Sequence, residues 1–366
     1  MNYNNLHYQI GLTLLNGIGP IKAKLLLRSL DNIEELFLLS PTHLQQKTGF
    51  KSSFIREMNR DEALEKSLEV VDHLCRHNVR AIFYDEVDYP RRLKNCVDAP
   101  LILYKKGKIE LNPEKVVAIV GTRSATSYGK KICQHLIESF QTSDILVVSG
   151  LALGIDACVH RYCLEYDVPT IGVLGHGLDR IYPSQNRMLA SSMLDKGALL
   201  TEFIPGTNPD RENFPKRNRI VAGFSDATIV IESKKRGGSL ITAHLANDYN
   251  RDVFAYPGNV NTETSQGCNQ LIASQKAHLI QEPNDFLTLM NWKEQASQKE
   301  VQRTLFPNLS NVQMSIVDII TKNSGIQIDV LSIKSELPIS QLNVELFHLE
   351  MEGVVQSLPG KVYSLA

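Results

Sequence analysis

Apolar residues in the middle of the chain come in short unbroken runs, separated by longer stretches where they recur with a helical period. Val116-Val-Ala-Ile-Val120, Ile145-Leu-Val-Val148 and Thr170-Ile-Gly-Val-Leu174 are such runs, as are Leu199–Glu202, Thr228–Ile231 and Val253–Tyr256. A run without polar alternation suits a strand buried on both faces, as in a parallel sheet with helices on each side. The six alternations of strand and helix predict an α/β fold, a doubly wound, Rossmann-like parallel sheet, with Ala277–Ile280 as an edge strand. Residues up to about 75 read as short helices with no convincing strand, and 81–84 and 101–104 as strand candidates. Residues 292–309 are polar and charged, the composition of a linker. Helices over Val312–Ile320, Ile328–Ser335 and Ser340–Met351, then a hairpin turning at Pro359-Gly360, make a winged helix. The expected organisation is a helical domain over 1–75, a Rossmann-like domain over 76–291, a linker over 292–309 and a winged-helix domain over 310–366.

In open parallel sheets, ligands lie outside the carboxyl ends of the strands. The polar and glycine-rich clusters all follow such ends: Gly121-Thr-Arg123, Ser149-Gly150, Gly175-His-Gly177, Glu202, Arg211–Arg219 and Gly238-Ser239. They are expected to share one rim. Two of them are the densest chemistry in the chain. Pro215 suits the first turn of a helix, and Lys216, Arg217 and Arg219 crowd that turn, where free backbone N–H groups already favour anions. Lys234-Lys-Arg then precedes Gly237-Gly-Ser239, which opens a second helix directly after a strand. Two helix starts with basic residues, flanking one buried strand, predict phosphate binding. The competing reading is surface charge and turn glycines with no ligand.

Formal net charge is −1 and the isoelectric point about 6.8, so no overall field draws the chain to nucleic acid. Any such binding must come from a local patch. The six cysteines show no metal-ligand spacing, and three of them lie in apolar helical stretches where reduced core thiols are usual. With no N-terminal signal and no run of about 18 apolar residues, the expectation is a reduced, soluble, cytoplasmic protein that does not engage membranes. No nucleophile–base pair, metal cluster or cofactor motif stands out, so neither catalytic residues nor a cofactor are expected.

Near the amino terminus, Leu12–Leu27 reads as a helix-hairpin-helix around Gly17-Ile-Gly19, with Lys22 and Lys24 adding charge. Such hairpins serve DNA contact or packing, and the residues leave both open. The winged helix carries Glu345, Glu350 and Glu352 and little positive charge, which suits protein contact better than a DNA groove.

Taken in order, the motifs resemble those of the DNA-processing protein A family (DprA, also called Smf). They are Val117–Arg123, Ser149–Asp156 with His160, Leu178–Pro183 with Asn186, Phe214–Ile220, Gly238–Ala243, Tyr256-Pro-Gly258, and Ser265 with Gly267 and Asn269. The chain departs from the family pattern at Cys158-Val159, where smaller residues are usual, and at Ser274-Gln-Lys-Ala, where a Gly before the Ala is usual. The resemblance implies single-stranded DNA binding on an extended Rossmann domain, loading of the RecA recombinase during natural transformation, and a homodimer. On that reading Arg123, Arg211, Lys216, Arg217 and Arg219 hold phosphates through charge-assisted hydrogen bonds. Asn218, the backbone at Gly121, Gly150 and Gly238, and the hydroxyls of Ser239 and Thr242 complete the cradle. Phe214 stacks on a base, the alternative being a helix-entry side chain packed inward. Asp156 and Glu202 orient these groups. A related fold that hydrolyses nucleotide N-glycosidic bonds is the main alternative, although Lys235–Thr242 lacks the Pro and the acid such a loop carries. Gly121-Thr-Arg-Ser is not the GxGxxG of a dinucleotide dehydrogenase.

Overall fold

A computed structural model describes residues 5–293, 309–323 and 325–366. The chain opens with six helices: α1 (Leu6–Leu14), α2 (Pro20–Ser29), α3 (Glu35–Leu38), α4 (Pro41–Thr48), α5 (Ser52–Glu57) and α6 (Arg60–Arg76). Gly17, at φ +70, makes the hairpin between α1 and α2, a conformation that a residue with a Cβ adopts at a cost. The hydroxyl of Ser40 accepts the His43 N–H and caps α4. These helices share a core of Ile10, Leu12, Leu26, Leu36, Leu44, Ile55 and Leu74. That core continues onto Ala81, Phe83, Leu101, Ile102 and Tyr104 of the sheet's edge, so the helices are packed on the sheet with no break in the apolar contact.

The central part runs β1 (Arg80–Phe83), α7 (Arg91–Lys94), β2 (Ile102–Gly107), β3 (Lys115–Val120), α8 (Ser127–Glu138), β4 (Ile145–Ser149), α9 (Ile155–Glu165), β5 (Thr170–Val173), α10 (Arg187–Ser192) and β6 (Ala198–Thr201). It continues with α11 (Asn213–Phe224), β7 (Ala227–Val230), α12 (Gly238–Asp248), β8 (Asp252–Ala255), α13 (Gln266–Ala273), β9 (His278–Leu279) and α14 (Pro283–Leu289). Nine strands form one sheet in the order β1-β2-β6-β5-β4-β3-β7-β8-β9. From β6 to β9 the pairing is parallel, while β1 and β2 add an antiparallel edge. The unbroken apolar run of β3 has the expected cause: Val116, Ala118 and Val120 pack into the core on one face, Val117 and Ile119 into the core on the other. All five are essentially fully buried, and each Val or Ile side chain among them stabilises the sheet by about 1.5–3 kcal/mol. The chain leaves β3 towards β4, β5 and β6 on one side and returns to β7 on the other. The crevice at this change of direction is where a doubly wound sheet opens to a ligand.

The last part holds α15 (Asn311–Thr321), β10 (Ile326–Gln327), α16 (Ile328–Ser335), α17 (Ile339–Met351), β11 (Val355–Leu358) and β12 (Val362–Leu365). Three helices and a small sheet ordered β10-β12-β11 make the winged helix, around Ile316, Ile320, Leu331, Leu342, Leu346 and Leu349. It rests against the sheet's amino-terminal edge. Asp329 reaches Arg251 at 3.7 Å, and the Gly360 N–H donates to Asp252. The linker expected over 292–309 lies, from 294 to 308, outside the described residues. Trp292 before it packs edge-on to Phe286, with ring centroids 5.4 Å apart. Among the described residues no helix is long and apolar enough to cross a membrane.

Candidate nucleic-acid interface

An open cleft of about 1100 Å³ lies at the carboxyl ends of β3, β4 and β7. The loop after β3 gives it Arg123, the loop after β4 Gly150 and Asp156, and the segment before α11 Arg211. The first turns of α11 give it Phe214, Arg217 and Asn218, and the loop after β7 gives it Lys234, Lys235 and Arg236, with Gly238, Ser239 and Thr242 at the start of α12. Asp156 is the carboxylate among these lining residues, set against six Lys and Arg side chains. Arg211, Lys235 and Arg236 are exposed. Lys234 differs from them, because it pairs with Glu263 at 2.9 Å.

The expectation that the Arg211–Arg219 cluster faces one rim needs correcting. Successive helical residues point about 100° apart, so the first turns of α11 divide the cluster between two sides. Phe214, Arg217 and Asn218 face the cleft. Lys216 and Arg219 turn into a second hollow of about 430 Å³, walled by Thr13, Ile18 and Gly19 of the amino-terminal hairpin. Arg219 is engaged there by Glu202 and by the carbonyl of Asp98. Glu202, placed on the same rim from sequence, belongs to this hollow too, and burial pushes its carboxyl above the usual range against the pull of Arg219.

Arg217 also stands differently from its expected place as an open phosphate ligand. It is 5% exposed. Nη1 donates to the carbonyls of Gly150 and Val173, and Nε to Asn218 Oδ1 at 3.1 Å. The guanidinium lies so close to Gly150 that a Cβ there would clash with Nη1, and relieving the clash would move Arg217 off its two carbonyls. The Gly150 N–H donates to Asp156 Oδ2 at 3.2 Å, so both backbone polar groups of this residue are engaged rather than left to a ligand. Burial raises the Asp156 carboxyl, while Arg217 and the N–H groups of Ala152 and Gly150 oppose the rise. Gly121 likewise serves packing, since a Cβ would strike Ile155. Thr242 is 2% exposed, and the Ser239 hydroxyl donates to Ser233 Oγ at 2.8 Å. Gly238 alone of the three expected backbone positions has nothing within 4 Å of a built Cβ, and so borders open space.

Phe214 is half-buried at the lip. Gly175 lies beneath its ring, with the guanidinium carbons of Arg123 and Arg217 at 5.5 and 6.0 Å from the ring centre. Glu232 does work that no motif announced. Its buried carboxylate accepts from the Thr126 N–H at 2.9 Å, from the Thr126 hydroxyl at 2.6 Å and from the Thr264 hydroxyl at 3.2 Å. It thereby ties the loop carrying Arg123 to the end of β7. Lys235, Arg236 and Tyr182 also line the cleft, although the sequence argument placed the first two only within a basic run and Tyr182 only within a motif, and named none of them as a ligand. The Lys234-Lys-Arg run was a signal for the first two.

A family model described as DNA recombination-mediator protein A matches residues 80–291, and one described as DprA winged helix domain matches residues 307–361. The chain is 34% identical to the Smf protein of Synechocystis over 302 residues, 81% of this chain and 76% of that protein. Among solved structures, DNA processing protein A of Streptococcus pneumoniae is 31% identical with a TM-score of 0.59, covering 74% of this chain and 98% of its own. A structure of DNA processing protein A from Helicobacter pylori, reported for its single-stranded DNA binding mode, is 29% identical with a TM-score of 0.53. It covers 57% of this chain and 94% of its own.

Proposed function

Since the chain belongs to the family of DNA recombination-mediator protein A, we propose that its cleft holds single-stranded DNA and that, by family resemblance, it delivers the strand to the RecA recombinase during natural transformation. The observation that carries the first part is the cleft itself, which sets six cations and an aromatic lip against one carboxylate already held by N–H donors. A chain of formal net charge −1 concentrates positive charge there, which is what binding to a polyanion requires. In this reading Arg123, Arg211, Lys235 and Arg236 grip phosphates, and the start of α12 at Gly238, which borders open space, assists them. Arg217 holds the floor of the cleft and Phe214 offers a face to a base.

The same geometry favours binding over hydrolysis. An N-glycosidic hydrolase needs a carboxyl group free to act on its substrate, and the acid lining this cleft is occupied by the backbone N–H groups of Gly150 and Ala152. A homodimer is part of the proposal through resemblance alone, and a cytoplasmic location through the composition and cysteine usage of the chain. The deciding experiment is a titration of the purified protein with a single-stranded oligonucleotide and with its duplex at moderate salt. Binding of the single strand and not the duplex is expected. Equal affinity for both, or none for either, would end this reading.

A further inference from the structure

The segment Leu178-Asp-Arg-Ile-Tyr-Pro183, with Asn186, has no part in the phosphate grip, and each side chain but one has a task in the fold. Leu178 and Ile181 pack against a small core of Leu151, Leu174 and Met193. Asp179 accepts the Gly206 N–H at 2.9 Å and holds Arg180 at 2.9 Å. Asn186, 1% exposed, donates to the carbonyls of Leu151 at 2.9 Å and Ala152 at 3.3 Å, fixing the segment to the loop after β4. His176, also 1% exposed, accepts the Tyr182 N–H at Nε2 at 3.2 Å. Its Nδ1 therefore carries the proton, which it shares with the Gly177 carbonyl at 2.9 Å. The remaining side chain is the ring of Tyr182. It is 47% exposed, it lines both the main cleft and the narrow slot beside it, and its hydroxyl makes no hydrogen bond among the described residues.

We propose that Tyr182 is a second stacking platform for the bound strand, held in place from behind by His176 and Asn186. The proposal rests on the reading of the cleft as a single-strand site. Its geometry adds something to that reading. The rings of Tyr182 and Phe214 lie 5.9 Å apart between centroids and tilted by 41°. Stacked neighbouring bases lie parallel, about 3.4 Å apart along a strand, whereas two bases each flat on one of these rings are tilted to each other by the rings' own 41° and so do not stack on each other. The platform thus selects a strand whose bases are drawn apart at this point, which a duplex cannot supply without unpairing. Phe214 has part of its surface covered by Arg123, Arg217 and Gly175, so Tyr182 offers the more open ring. Stacking is indifferent to base identity because every base has a π-face.

The test uses the full-length protein, a homothymidine oligonucleotide and four variants. Tyr182→Leu keeps the bulk and loses the aromatic face, so its affinity should fall roughly 5- to 100-fold, while Tyr182→Phe should bind like the native chain because the hydroxyl has no partner. Tyr182→Trp should keep affinity and show indole fluorescence quenched on binding, against the constant background of Trp292, which packs on Phe286. Arg211→Ala removes a cleft cation and separates two kinds of failure. If Tyr182→Leu binds normally while Arg211→Ala is weakened, the platform is wrong and the cleft stands. If both bind normally, the cleft reading fails with it. A Tyr182→Phe loss as large as that of Tyr182→Leu would also overturn the platform, since the hydroxyl and not the ring would then matter.

Discussion

At the scale of single residues, Arg217 and Phe214 show how one short motif mixes structure and recognition. Truncating Arg217 to Ala removes the donor that two buried carbonyls share and leaves Asp156 without its counter-charge. Leaving buried hydrogen-bonding groups without a partner costs about 1–3 kcal/mol each, so the urea midpoint should drop clearly. An unchanged midpoint with weakened DNA binding would return Arg217 to the role of a strand ligand. Phe214→Ala should act the other way, weakening single-strand binding by about 1–3 kcal/mol with the fold intact. The slope of affinity against salt should not move, because no charge is lost, and a changed slope would contradict stacking. The sequence supplied both residues as site candidates, yet it had no means of separating them. The separation depends on Gly150 and Val173, which approach Arg217 from 67 and 44 residues away in the chain.

At the scale of elements, strands were more legible than directions. Runs such as Val116–Val120 announce a doubly buried strand because both faces must be apolar, and the winged helix was readable because its periodicity and its Pro359-Gly360 turn are local. The edge pair β1 and β2 runs antiparallel to its neighbours, and nothing in four half-apolar residues encodes that. Nor does a cluster of cations tell which side of a helix each will face until the helix is seated. Once α11 is seated, Lys216 and Arg219 leave the cleft, and the phosphate contacts proposed above are those of Arg123, Arg211, Lys235 and Arg236. About four neutralised phosphates on a single strand give a log–log salt slope near −3. A slope near −1 measured by anisotropy would mean that most of these side chains do not touch the strand.

For the molecule as a whole, acid should expose the buried histidines. His160 is fully buried, with Nδ1 2.7 Å from the Thr170 hydroxyl and Nε2 without a partner. Burial, aided by Arg217, pushes its pKa down to about 3, against about 6.5 in the unfolded chain. The folded state therefore binds fewer protons than the unfolded one in this window. The contribution is complete above pH 6.5 and is lost as pH falls towards 3. Denaturation midpoints measured between pH 6.5 and 5, above the range of most carboxylates, should decline, and His160→Gln should flatten part of that decline. An identical slope in the variant would place the proton uptake elsewhere.

The winged helix and the cleft sit at opposite ends of the same strands. Asp252, which receives the Gly360 N–H, begins β8, and the neighbouring β7 ends at the loop bearing Lys234, Lys235 and Arg236. A strand of four residues spans only about 13 Å at roughly 3.3 Å per residue. Two occupants could therefore be held at once without touching, separated by the length of one rigid strand. In thermodynamic terms such occupants either ignore each other, with free energies that simply add, or influence each other equally in both directions. Whatever loosens or tightens the winged helix against Asp252 and Arg251 when the strand arrives must, by the same factor, change the grip on the strand when the winged helix is engaged.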